Sequence, residues 1–283
     1  MTNFKKTLLG VAAAMALVAP AANAIVVGGI DFGVLGADPF RQHLETATFA
    51  QTFVNGVGQK TTAYGSLSTI NGDSSYCANG SSNCALYFIA RDYVSTSFSP
   101  SVVEFTGGVV DIYYDANPVI NFLNQNSPAN LAAISGFTLW ASFTGHDNIN
   151  GLVAPTTTLE GRGALTGNSL SGSGFGLLDI DTTKGIAEVA SFFDANSVVD
   201  NIGGKTDVIV TSSFNNFVLN PFDVKDGLAR GCTTGRAQPG AWCYQGTVNF
   251  RGDTVIPEPA SLALLGIGLL GMGGLSARKR AKA

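Results

Sequence analysis

FTLWASFT, residues 137–144, carries the plainest strand signal in the chain. Phe137, Leu139, Ala141 and Phe143 alternate with Thr138, Trp140, Ser142 and Thr144, and a period of two is that of an extended strand. One face is apolar and the other mixed, as in an antiparallel sheet packed on one side. Upstream, VVEFTGGVVDIY at residues 102–113 reads as a hairpin turned at Gly107-Gly108, because a two-residue primed turn needs positive φ at both central positions. That register places Val103, Phe105, Val110 and Ile112 on one face, and Val102, Glu104, Thr106, Val109, Asp111 and Tyr113 on the other.

Further strands are expected at residues 48–54, 86–94, 174–180, 186–193, 207–214 and 244–251. The Gly-rich and Asn-rich links between them are too short to hold the helices that parallel crossovers require. One region reads as helical: residues 118–134 carry Val119, Ile120, Phe122, Leu123, Ala129, Leu131, Ala132 and Ile134, interrupted by Asn126-Ser127-Pro128. The fold class expected is therefore all-β, an antiparallel β-sandwich of jelly-roll type with one short helical insertion. It occupies one ectodomain, residues 25–254, between a leader at 1–24 and a tail at 255–283.

Within residues 25–256 there are ten Lys and Arg against nineteen Asp and Glu, a net charge of −9. An acidic surface of that size repels nucleic acid and anionic lipid. All four cysteines, Cys77, Cys84, Cys232 and Cys243, lie in the same region. An even count in an exported chain points to disulfides, of which the two local pairings, Cys77 with Cys84 and Cys232 with Cys243, are favoured among three connectivities. Their spacings fit no common zinc pattern.

Few residues suggest chemistry. His43 and His146 are the two histidines, and no G-x-S-x-G elbow accompanies either. Asp179-Ile180-Asp181 is the densest carboxylate pair. It fails as a calcium loop because Lys184 stands where an EF-hand needs Gly and Ala190 where it needs the bidentate Glu. In the hairpin register Glu104 and Asp111 stand opposite one another, and like charges there destabilise unless neutralised. The pair is the candidate Ca2+ site, with Asp115 beside it. Trp140 and Tyr113, on the mixed faces of their strands, are the candidate rings for stacking on a sugar.

The two ends of the chain are more specific. Lys5 and Lys6, an apolar stretch over residues 8–19 and Ala22-Asn23-Ala24 have the order of a secretory leader, with Ala22 and Ala24 at the cleavage signal and a mature start at Ile25. At the other end Pro257-Glu258-Pro259 precedes 18 uncharged residues, 260–277, and then Arg278, Lys279, Arg280 and Lys282. As a helix those residues span about 27 Å, just enough for a bilayer core of roughly 30 Å. Five glycines weaken the span, and the basic cluster holds its own end in the cytoplasm. The two prolines keep Glu258 on an extended strip ahead of the membrane.

These three ordered elements resemble the PEP-CTERM sorting signal, which exosortases of Gram-negative bacteria recognise and process. Residues 137–144 and 214–222 also resemble a flocculation-associated PEP-CTERM protein. The resemblance implies signal peptidase and exosortase as export partners, transient anchoring in the inner membrane, and a final place on the outer surface or in the extracellular matrix. It implies a non-catalytic role in aggregation, flocculation or exopolysaccharide structure. A carbohydrate-binding module and a secreted hydrolase are the alternatives.

Overall fold

The computed structural model describes residues 25–33, 41–78, 83–118, 120–149, 155–216 and 238–253. The strands in chain order are β1 (Val26–Val27), β2 (Ile30–Asp31), β3 (Arg41–Thr52), β4 (Lys60–Ile70), β5 (Ala85–Phe98), β6 (Val102–Asp115), β7 (Thr138–Gly145), β8 (Leu159–Ala164), β9 (Ser171–Ile180), β10 (Val198–Val199), β11 (Lys205–Thr206), β12 (Val208–Asn215) and β13 (Trp242–Asp253). A 3-10 turn (Phe122–Asn124) and helix α1 (Ser127–Ser135) lie between β6 and β7, and helix α2 (Ala187–Phe193) follows β9.

The expected all-β antiparallel architecture is present, and its main sheet has nine strands. It closes on itself: β12 pairs with β13 on one side and with β9 on the other, so the ring runs β12, β13, β3, β4, β5, β6, then β7 and β8, then β9. Strands β7 and β8 share one stave. β8 pairs with the start of β6 and β7 with its end, and both pair with β9. Eight staves make a barrel whose interior is just wide enough to be filled by side chains or to admit one small ligand. Closure also pairs the edges that an open sandwich would leave exposed.

Three sequence expectations are corrected. Residues 102–113 form no hairpin; they lie inside the single 14-residue strand β6, which pairs with β5 along its whole length. Gly107 and Gly108 do take positive φ, at 70° and 95°, yet the β5–β6 register runs unbroken past them, Arg91 standing against Val109 and Tyr93 against Gly107, with Asp92 between at φ 61°. These positive-φ residues change which side chains face inward on either side of them, so Val103, Phe105, Val110 and Ile112 all reach the core. A bulge falls in β7, where Tyr113 pairs with Leu139 and Ile112 with Ala141. The extra residue is Trp140, which turns inward with Ala141 and is fully buried. Residues 186–193 are mostly helix α2 in place of a strand; Val189, Ala190 and Phe193 form its buried side.

One end of the barrel is plugged by aromatic residues. Phe32, Trp140, Phe143, Phe192 and Phe193 make a connected set of ring contacts, with centroids 4.7 to 6.4 Å apart. The β1–β2 hairpin and α2 bring Phe32 and Phe193 there. Part of the barrel's outer wall is covered as well. Phe122, Ile134 and Leu131 from the helical insertion pack on Tyr64, Tyr87 and Ile89. Asn126 caps α1 by accepting from the Ala129 amide, and buried Asn130 donates to the Tyr64 hydroxyl at 2.9 Å.

Candidate functional site

Cys77 and Cys84 are bonded to each other, as the local pairing expects, with Cα atoms 5.8 Å apart. The bridge closes a loop that docks on the β1–β2 hairpin, since Asp31 donates to the Tyr76 carbonyl and Ala78 to that of Gly29. Cys243 is also disulfide-bonded. Cys232 lies outside the described residues, as do Ala22, Ala24, Pro257, Glu258, Pro259, Arg278, Lys279 and Arg280. Among the described residues no helix is long and apolar enough to cross a membrane.

Glu104 and Asp111 do not face one another, because both lie on β6, on opposite sides of its Gly107-Gly108 pair. Asp111 is buried against Arg91, whose Nη2 donates to it at 2.8 Å, and against Ser142, whose hydroxyl donates at 2.7 Å. Glu104 accepts from Ser97 at 2.8 Å and stands in register with Glu160, which Arg162 engages. Each carboxylate of the proposed calcium pair thus has its own protein donor, and among the described residues no group of three or more His, Cys, Asp or Glu is placed to hold a metal ion. Trp140 is corrected from an exposed ring to a core one: its indole nitrogen donates to the Gly28 carbonyl at 3.0 Å. Tyr113 is half-buried beside the helical insertion, and burial, then the Asp111 charge, raises its phenol above the ordinary value.

The spacing of the sequence gives no sign of the cluster that His146 makes. At the end of β7, its Nδ1 lies 2.7 Å from Asp179 of β9 and its Nε2 3.2 Å from Asp200, the residue after β10. Asp200 also accepts from the amides of Ile202 and Gly204. Burial disfavours the imidazolium, yet the bonds and charges of Asp179 and Asp200 outweigh it and raise His146 above its ordinary value. Burial opposes the Asp200 charge too, but the Ile202 amide, His146 and the Gly204 amide hold the carboxyl below the usual range. With a carboxylate at each ring nitrogen, the imidazole leaves neither nitrogen open to a nucleophile. The cluster ties three segments together. Asp181, by contrast, sits in an exposed turn where hydrogen bonds from Lys184 and Thr183 hold it down to about 2.

The interior of the described barrel also holds a hollow. A cavity of about 90 Å3 runs among residues of β3, β4, β5, β6, β8, β9, β12 and β13, with Glu160 of β8 on its wall. Its wall includes Tyr93 and Tyr244, whose phenols burial raises well above the ordinary value and so keeps neutral.

Residues 255–280 match the family described as the PEP-CTERM protein-sorting motif. The tail carries the PEP-CTERM protein-sorting motif. The motif implies processing by an exosortase and export to the cell surface, in agreement with the reading of the tail. No curated protein and no solved structure matches the chain. The PEP-CTERM match covers the tail, and the barrel ahead of it stands on its own geometry.

Proposed function

We propose that this PEP-CTERM protein is a non-catalytic component of the outer surface or extracellular matrix, acting in cell aggregation or in exopolysaccharide structure. The observation that carries the reading is the sorting motif at residues 255–280. The described barrel supports it as durable cargo: the sheet has no open edge, a disulfide clips the Cys77–Cys84 loop, and the acidic surface keeps copies soluble and apart until a partner engages them. The sugar-module alternative is weakened by the burial of Trp140, and the hydrolase alternative by the two carboxylates that occupy His146.

Deleting the gene and scoring cell aggregation tests the role. A polysaccharide pull-down with the released protein separates the alternatives. Loss of aggregation with no sugar retained is the expected result; retention of a defined polysaccharide with aggregation unchanged would instead favour the binding module. Intact mass of the surface-released protein should give a start at Ile25 and an end near Pro257.

A further inference from the structure

The inward positions of the barrel are unevenly filled. Ala63 of β4 stands opposite Ala90 of β5, and Gly174 of β9 opposite Ser212 of β12. All four line the cavity, where larger side chains would close it. Elsewhere the interior is packed by rings, as where Phe88 meets Phe250 edge to face at 5.7 Å. The hollow therefore follows from small side chains at particular register positions on both sides of the barrel.

Native interiors hold few voids larger than a water molecule, and 90 Å3 is well beyond that. Water is a poor occupant, because a buried water needs two to four polar partners. Gln51 and Thr61, polar groups on this wall, already meet each other: the amide Nε2 of Gln51 donates to the Thr61 hydroxyl at 3.2 Å, and that hydroxyl donates to the Thr52 carbonyl. Glu160, the carboxylate on this wall, has both oxygens engaged by Arg162. Apolar cavities of about 150 Å3 stay dry and take up benzene or xenon; this one is smaller but of the same character.

We propose that the barrel interior is a binding site for a small apolar molecule no larger than a single aromatic ring or a short hydrocarbon. The ligand would be held by contact with Phe88, Val110, Val210 and Phe250, and by exclusion from water, with no ionic contribution. The site is independent of the sorting tail, so its failure would leave the surface role untouched.

The test uses protein released from the producing cell, labelled at methyl groups and titrated separately with xenon and with benzene. Saturable shifts confined to Val110, Val210 and Leu159 are expected, with a rise in the unfolding midpoint as benzene increases. Ala90→Leu should weaken benzene at least tenfold while the protein stays folded. Should that variant fail to fold, Ala63→Leu fills the same space from the neighbouring strand. Shifts scattered over the surface, no saturation, or equal benzene affinity in a folded filled variant would each overturn the site.

Discussion

The indole of Trp140 hangs on the carbonyl of Gly28, 112 positions earlier in the chain, and Gly28 in turn donates its amide to Glu188 of α2 at 2.7 Å. Gly28 has φ 57°, and a Cβ built there would lie 2.4 Å from both the Trp140 nitrogen and a Val189 methyl. Neither atom can withdraw, since both belong to fully buried side chains. Gly28→Ala should lower stability by about 3 kcal/mol, from backbone strain and overpacking together. Urea unfolding followed by tryptophan fluorescence measures it; a change below about 0.5 kcal/mol would show that the hairpin does not bear on the indole.

The disulfide gives a second handle on the same end of the barrel. Cys77 and Cys84 are seven positions apart, and closing so short a loop contributes about 2.5 kcal/mol by the chain-entropy relation. The bridge also fixes the segment whose backbone pairs with the β1–β2 hairpin. Replacing both cysteines by Ala should lower the unfolding midpoint and raise amide exchange at Ile30 and Asp31. Unchanged exchange there would separate the bridge from the hairpin.

His146 predicts a pH dependence of stability. Its folded pKa lies above the ordinary value of 6.5, so its contribution is fully present below that value and is lost as pH rises through the folded pKa. Asp200 is shifted the other way: its contribution is present above its ordinary 3.8 and fades as pH falls through the depressed folded value. The cluster is strongest between about pH 4 and pH 6.5. His146→Gln should flatten the loss of stability on the alkaline side of that window and speed exchange at Ile202 and Gly204. A titration curve that keeps the parent's slope would assign the slope to other groups.

Much of the barrel was legible in residues 137–144 and 102–113, because alternation reports which side chains share a face even when the partner strand is misassigned. Val103, Phe105, Val110 and Ile112 are core residues in a hairpin and in a continuous strand alike. Alternation does not report a bulge, so Trp140 reads as outward, nor whether a glycine pair turns the chain, so Glu104 reads as opposite Asp111. Helix α2 escaped notice because its seven residues, AEVASFF, are strand-like in isolation; packing on the barrel end decides them. The His146 cluster joins residues 33 and 54 positions away, a coincidence of topology that no local spacing encodes. The sorting tail needed no fold to be read, since its signal is the linear order of proline, grease and charge.

The positive-φ glycine pair inside β6, where a hairpin turn is expected, makes a prediction of its own. Both Gly107 and Gly108 have positive φ, but their surroundings differ. A Cβ on Gly108 would fall 2.1 Å from the Tyr93 ring, which is fully buried, whereas one on Gly107 would meet only the Asp92 carbonyl at 3.4 Å. Gly107→Asn should therefore be tolerated, costing about 1 kcal/mol or less, because Asn enters the left-handed region readily. Gly108→Ala has to displace Tyr93 as well as bear the strained φ, and should cost about 3 kcal/mol. In a true two-residue hairpin turn both positions would project into solvent and the two substitutions would be similarly mild. Parallel urea titrations of the two variants distinguish the cases, and near-equal losses would return residues 102–113 to the hairpin reading.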